Sequence, residues 1–529
     1  MIKVSDYIVK ALEKEGIDHI FGIPGVGCGH LVDSLKKSSI KNHIVYHEQG
    51  ASFMACSYAQ STKNMGAAYV TAGPGATNLI TGIANAYVDS IPVLFIVGNK
   101  DMDTLKGDLP IRQMASQEID IIDVARPITK WCCQVKSLDE VRYALERCIY
   151  EAKNGRPGPV LLDISSTFLR MDFDETKGGF VPGDKLESDP ALIIDALNAS
   201  KKPLILAGGG IKQAGLSEDI KYISEKLNIP VVTTVVAFDE FFDHPNYLGF
   251  IGVDGDKTAN NAVKECDLIL TLGARLNIKQ LGKKRDNFAP NAKIIRVDVD
   301  AGELSYRVGK EESINADLTI LVPKLKDRIS EISPKELWAS RPEFKAVFGG
   351  NEFSVEMASA LCKKLPEDLN ICLGIGSHRR WFLAARDIKK GWKVFQSAGL
   401  ASMGYALPAA IGAMLADGRP AVSIDGDGGF LMNMQELQMI KREHLPVTIV
   451  VFNNHCLGEV MEFQKTVFDK NYFGTTEDTG YLAADQEGIA KAFDLKYTKV
   501  TEVSQIEGLD IDFNVPNLIE IMVPDNIEE

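Results

Sequence analysis

The sequence predicts an α/β protein made of three doubly wound parallel-sheet domains, and three observations predict it. Short β-rich runs alternate with helical patterns along the whole chain, as parallel α/β sheets require. Two stretches rich in Gly, Pro and charge, 174–190 and 330–350, divide the chain into three. The first and third parts each contain a strand that runs directly into glycines, which suggests two similar domains flanking a middle one. The domains are expected at residues 1–172, 188–330 and 350–529, and 529 residues is the length of about three domains.

The elements follow in order. "MIKVSDYIVKALEKEG" reads as an amphipathic helix capped by Ser5, with Ile8, Ala11 and Leu12 on one face and Gly16 as its stop. "AAYVTAGPGATN" gives a strand and a glycine turn, and "IPVLFIVGN" a second buried strand. In the middle part "KPLILAGGG", "IPVVTTV", "CDLILTLGAR" and "AKIIRVDVD" are four strands with helices between them. In the third, "PAVSIDGDGG" and "LPVTIVVFNN" are strands joined by the helical "MNMQELQMIKREHLP".

Bulk composition sets outer limits. Apolar content of 45% and charged content of 25% are those of a soluble globular protein. A formal charge of -14 argues against nucleic acid or an anionic membrane as partner, while local dipoles leave a small phosphate-bearing ligand open. Nine scattered cysteines without a CxxC indicate neither a disulfide framework nor a zinc site. There is no signal peptide pattern and no run long enough to span a bilayer, so a cytoplasmic location is expected.

Asp427, in "VSIDGDGGF", puts a carboxylate among glycines at the end of a strand. The right-handed βαβ crossover brings it to the same sheet edge as Asn454, where α/β sheets bind ligands. A carboxylate, an amide oxygen and a backbone carbonyl suit a hard divalent cation that shares its remaining positions with phosphate and water. Gly426, Gly428 and Gly429 let the backbone approach that phosphate closely. Taken alone, GDG is a tight turn; GDG with NN across a βαβ unit is a far more specific signal.

That combination resembles the diphosphate-binding motif of thiamin-diphosphate-dependent enzymes. "YHEQGA", "GPGATN", "GRPGPVLLDIS" and "SAGLASMGYALPAAIGA" resemble the same family. The resemblance implies a pyrimidine-binding first domain, a central domain and a diphosphate-binding third domain. It implies thiamin diphosphate and Mg2+ as cofactors, with Asp427, Asn454 and the backbone oxygen of Cys456 as metal ligands. Glu48 would bond N1′ of the aminopyrimidine, a task for a desolvated carboxyl of raised pKa. Pro74 and Asn78 would belong to the cofactor site. Gly376, Ser377 and His378 would contact the diphosphate, Met403 would wedge between the two rings, and the Ala401 carbonyl would accept from the 4′-amino group. The cofactor would lie between the first domain of one subunit and the third of another, so a homodimer or homotetramer is implied.

Within the family the chain is most similar to the acetohydroxyacid synthase (acetolactate synthase) group, which adds a two-carbon unit from pyruvate to a second 2-ketoacid. Gln117 matches that group's active-site glutamine. The departures lie where the acceptor binds: Lys279 stands for an arginine, Glu459 for a methionine and Phe463 for a tryptophan. Lysine loses the bidentate fork, and a carboxylate repels an anionic ketoacid. A carboligase with a changed acceptor, such as a keto sugar, is therefore expected, with genuine acetolactate synthase as the alternative. A 2-ketoacid decarboxylase is a third reading, against which the "DLPIRQMASQE" stretch lacks the His-His pair of the pyruvate type. The group's FAD is compatible with Ala207–Gly210, Thr234, Arg275 and Asp317, although Val253-Asp254 replaces its methionine-histidine pair and the glycines could equally serve a turn.

Overall fold

The computed structural model describes residues 1–183, 186–347 and 352–525. Three six-stranded parallel sheets are present, one per sequence third. In the first, the order across the sheet is Lys41–Ile44, His19–Gly22, Gly66–Thr71, Val93–Asn99, Val160–Ser165, Trp131–Gln134. In the third it is Lys393–Gln396, Asn370–Leu373, Ala421–Gly426, Val447–Asn453, Asn517–Met522, Lys496–Val500. Numbered along the chain within each domain, both read second, first, third, fourth, sixth, fifth. The two glycine-rich strand exits thus come from the same place in the same topology. The middle sheet runs Tyr247–Phe250, Val231–Thr233, Pro203–Ala207, Leu268–Leu272, Lys293–Asp298, Glu311–Asn315, the order of a dinucleotide-binding fold.

Residues 1–182, 346–386 and 394–529 cluster as one compact body, and 183–345 with 387–393 as another. In the first body one apolar core runs through both sheets' helices. Helix Glu48–Thr62 packs on helix Ala406–Asp417, each following the second strand of its own domain. Their contact is close enough that a Cβ on Gly412 would meet the Met54 carbonyl at 2.3 Å, and Phe53 and Tyr405 meet edge to face at 5.3 Å. Ala406–Asp417 is apolar nearly all round, and Glu48–Thr62 is built largely of small residues, Ser52, Ser57 and Ser61 included, that are buried on most of its faces.

Several local expectations are corrected. The N-terminal helix is Val4–Lys14, so Ser5 lies inside it, and its hydroxyl accepts from Ser34 Oγ at 2.8 Å instead of capping. Ile8 and Leu12 are buried as expected, and Gly16 turns the chain at φ +73. The segment between the GDG and NN strands is not one helix: it comprises Asp427–Leu431, a 3-10 turn Met434–Glu436 and Leu437–Glu443. Neither linker is free chain. Phe180 packs on Tyr143 and Tyr150, and its amide donates to Glu146. Trp338 packs on the central core and donates to the Pro203 carbonyl at 2.8 Å. The expected start of the third domain, residue 350, and the last four residues lie outside the described residues. Among the described residues no helix is long and apolar enough to cross a membrane.

Candidate active site

Strand Ala421–Gly426 delivers Asp427 to the first position of helix Asp427–Leu431, 2% exposed. Its Oδ1 accepts from the Gly428 amide at 3.1 Å, and its Oδ2 is buried with no hydrogen-bond partner among the described residues. Burial pushes this carboxyl up to about 7. The Tyr481 hydroxyl and the His455 amide lie close enough to offset part of that rise, and a carboxylate oxygen buried without a hydrogen bond is costly unless a ligand such as a cation completes it.

Strand Val447–Asn453 ends beside it. Asn453 is spent on structure: its Nδ2 donates to Glu520 at 2.6 Å and its Oδ1 accepts from the His455 amide at 3.0 Å. Asn454 faces the next helix, where a Cβ on Gly458 would lie 2.6 Å from its Nδ2 and 3.4 Å from Ser377 Oγ. Burial pushes the Cys456 thiol up to about 12, so this sulfur stays protonated and only its backbone oxygen suits a hard cation. Among the described residues no cluster of three His, Cys, Asp or Glu side chains could hold a metal. The candidate set is one carboxylate, one amide and one carbonyl.

Helices Ser377–Ala385 and Gly458–Val467 start next to each other and close to the Asp427 turn, and helix starts suit an anionic group. Glycine is required at two of these starts. Gly376 has φ +151, and a Cβ on Gly428 would meet Leu457 at 2.6 Å and the Tyr481 hydroxyl at 3.2 Å. His378 is buried under this cradle, with Nε2 3.7 Å from Asp425 Oδ1, beyond hydrogen-bond reach. Burial drives His378 down to about 3 and Asp425 up to about 8, so both are neutral there. His378 is thus a floor of the cradle and not a solvated helix start.

The first domain builds a second group. Glu48 opens helix Glu48–Thr62 after the N-cap His47, and its Oε2 accepts from Asn78 Nδ2 at 2.9 Å. Pro74 starts the short helix Pro74–Asn78 that carries Asn78. Gln117 is exposed at φ +68, with its backbone against Gly73, where a Cβ would meet its carbonyl at 2.7 Å. Glu48 is half-buried, and the fully buried carboxyl at this corner is Glu436, which accepts from the amides of Tyr46 at 3.2 Å and His47 at 2.9 Å. Burial, with a contribution from Glu48, raises Glu436 to about 7.

Met403 is 37% exposed and so is not a core methionine. Its turn is held from the first domain: Asp89 accepts from the amides of Ala398 and Gly399 at 3.0 and 2.8 Å, and Ser397 Oγ donates to Asn85 at 2.5 Å. Ala401 takes φ +59 in that turn. Asn433 bridges the Gly404 carbonyl and Gln49 at 2.8 and 3.0 Å.

Of the acceptor candidates, Glu459 is paired with Arg380 at 3.0 Å, both exposed. Phe463 is 53% exposed and meets Phe468 edge to face at 5.7 Å. Lys279 is exposed on the short helix Ile278–Leu281 of the other body, behind the capping residue Asn277. Asp425, Glu436, Asp89, Tyr481 and Arg380 were not singled out by the sequence. Only Asp425, one residue before the glycine run, carried a local signal.

Comparison with known proteins follows the same three-part division. Residues 2–124 match the family described as thiamine pyrophosphate enzyme, N-terminal TPP binding domain. Residues 191–325 match its central domain and 374–511 its C-terminal TPP binding domain. The chain is 34% identical to a probable acetolactate synthase large subunit of Methanocaldococcus jannaschii, over 99% of this chain and 92% of that one. It is 32% identical to the acetolactate synthase isozyme 2 large subunit of Escherichia coli, over 98% and 95%. Against acetolactate synthase 1, chloroplastic, of Oryza sativa it is 32% identical over 99% and 85%.

Proposed function

The chain belongs to the thiamine pyrophosphate enzyme family and is acetolactate synthase-like, and from that premise we propose a carboligase whose acceptor differs from that of its relatives. The donor is a 2-ketoacid, pyruvate by resemblance. Bound thiamin diphosphate supplies the nucleophilic carbon and electron sink that decarboxylation needs. Asp427, Asn454 and the Cys456 carbonyl would hold Mg2+, and the helix starts at Ser377 and Gly458 would take the diphosphate. The unpartnered Oδ2 of Asp427 is the observation that carries this assignment.

Glu48, fixed by Asn78, would hold the proton at the pyrimidine nitrogen, and Gln117 would face the reacting centre across the Gly73–Pro74 turn. Met403 is available to support the bent cofactor because its turn is anchored and its side chain exposed. Exposure of Met403 and Phe463 and half-exposure of Glu48 support a homo-oligomer in which a second copy completes the site.

Lys279, Glu459 and Phe463 support the changed acceptor: a lysine offers one point charge where an arginine would clamp, and Glu459 can accept from hydroxyls. One observation favours the second reading, genuine acetolactate synthase. Arg380 pairs with Glu459, which offsets part of its repulsion of a ketoacid. Substituting Lys279→Arg together with Glu459→Met separates the two. Improved acetolactate formation from pyruvate supports the changed acceptor, and unchanged formation refutes it.

FAD rests on the resemblance. Gly208 and Gly210 are used for close backbone approach, since a Cβ would meet Gly273 at 2.1 and 2.8 Å. Asp317 caps helix Leu318–Asp327, and the Arg275 carbonyl accepts from Arg296. Thr234 alone keeps a buried hydroxyl without a partner among the described residues. Flavin absorbance in the purified protein would support FAD, and a colourless holoenzyme would exclude it.

A further inference from the structure

The loop before Gln117 is held by one buried carboxylate that the mechanism above does not use. Residues 106–118 carry no regular element, and Leu109, Ile111, Met114 and Gln117 are all exposed. Glu118 is the exception, only 9% exposed. Its Oε1 accepts from the Lys106 amide at 2.7 Å, and its Oε2 from the amides of Met114 and Ala115 at 2.9 and 3.0 Å. The two ends of the loop are thereby tied to one side chain. Gln113 Nε2 donates to the Glu118 carbonyl at 3.1 Å, and Lys106 Nζ reaches Asp120 at 2.7 Å. Burial pushes the Glu118 carboxyl up, but the three amides outweigh it and leave it below its ordinary value, a bound carboxylate.

Gln117 is the adjacent residue and is held at φ +68, a region that non-glycine residues occupy only when their surroundings impose it. Its backbone lies on Gly73, one residue before the helix that carries Asn78 to Glu48. A continuous set of contacts therefore runs from Glu118 through Gln117 and the Gly73–Pro74 turn to Glu48.

We infer that Glu118 is a positioning residue: by closing loop 106–118 on itself it imposes the backbone conformation that presents Gln117 to the reacting centre. The inference rests on the role proposed for Gln117. The carboxylate is needed because three donors converge on two oxygens. Glutamine would keep the shape but turn an N–H2 toward backbone N–H groups, breaking one set of bonds.

The test is a double-mutant cycle on the holoenzyme with Q117A, E118Q and the pair, reading kcat and KM for the 2-ketoacid, cofactor affinity and amide exchange over 106–117. E118Q is expected to lower kcat by about tenfold or more, with KM, cofactor affinity and thermal midpoint little changed and faster exchange in the loop. The pair should be no slower than Q117A alone, because both changes act on one group. E118Q at wild-type kcat beside a slow Q117A would overturn the positioning role and leave the Gln117 reading intact. Multiplying effects of the two changes would also overturn it. Q117A at wild-type kcat would remove the role of Gln117 and with it the inference.

Discussion

The first and third sheets have the same strand order, yet the strand exits that correspond in the two carry opposite chemistry. After the third strand of each domain, the first domain places the apolar turn that starts Pro74–Asn78, while the third domain places Asp427 and its glycines. After the second strand, the first domain places Glu48 at the head of a helix, and the third places the Met403 turn. Each domain thus puts its carboxylate where the other puts apolar contact. Topology supplies equivalent addresses at the sheet edge, and a few residues at each address decide whether it receives a charged or an aromatic part of a ligand.

On the proposed function, cofactor binding falls to the third sheet and chemistry to the first, and substitutions can break that division. Asp427→Ala is expected to have the largest effect: no saturable binding of thiamin diphosphate with Mg2+ in a fluorescence titration and no turnover. Glu48→Gln should instead retain binding and lose turnover by about 10²–10⁴-fold, the range for a positioned acid–base group. If Glu48→Gln lost binding as completely as Asp427→Ala, the division of labour would fail. Mixing those two inactive variants sharpens it further. Shared sites regenerate intact ones in hybrid oligomers, so activity should return on mixing; sites contained within one chain stay dead.

Smaller effects test how the two domains are held together. Gly412→Ala forces a methyl group against the Met54 carbonyl, and a loss of about 1–3 kcal/mol in denaturant unfolding is expected from overpacking. At the other end of the interface His19 Nδ1 lies 2.8 Å from His43 Nε2, and His43 Nδ1 2.7 Å from Glu443. Burial, with the neighbouring His43, lowers His19 from 6.5 to about 4. Below 6.5 the unfolded chain therefore binds a proton that the folded chain refuses, so His19 contributes a loss of stability as pH drops from 6.5 toward 4, opposite in sign to the buried carboxyls of Asp425, Asp427 and Glu436. The thermal midpoint of His19→Asn relative to wild type should rise as pH drops across that window, and a difference that stays constant with pH would contradict this.

Much of this was legible before any coordinates. The buried strands "IPVLFIVGN" and "VTIVVFNN" are unbroken apolar runs, and their short length, β-branched residues and flanking turn residues mark them as central strands. The edge strand Glu311–Asn315 is short and polar because one side faces away from the sheet, and it was missed. Asp427 and Asn454 could be singled out because their spacing within a strand–turn–helix unit is local, and Glu48 through the resemblance of "YHEQGA". Glu436, Asp89 and Arg380 were invisible for the opposite reason: each acts on a residue 79 to 390 positions away. The Arg380 pairing also changes what Glu459 means, since a charge read alone from the sequence repels, and the same charge beside a guanidinium repels less.

The most direct test is product analysis by mass spectrometry, with the holoenzyme given carbon-labelled pyruvate alone and then with ketoacids, aldehydes and keto sugars. The proposed carboligase should place a labelled two-carbon unit on an added acceptor and form little acetolactate from pyruvate alone. Efficient labelled acetolactate without any added acceptor would contradict the changed acceptor and make the chain an acetolactate synthase; released acetaldehyde as the main product would contradict carboligation itself.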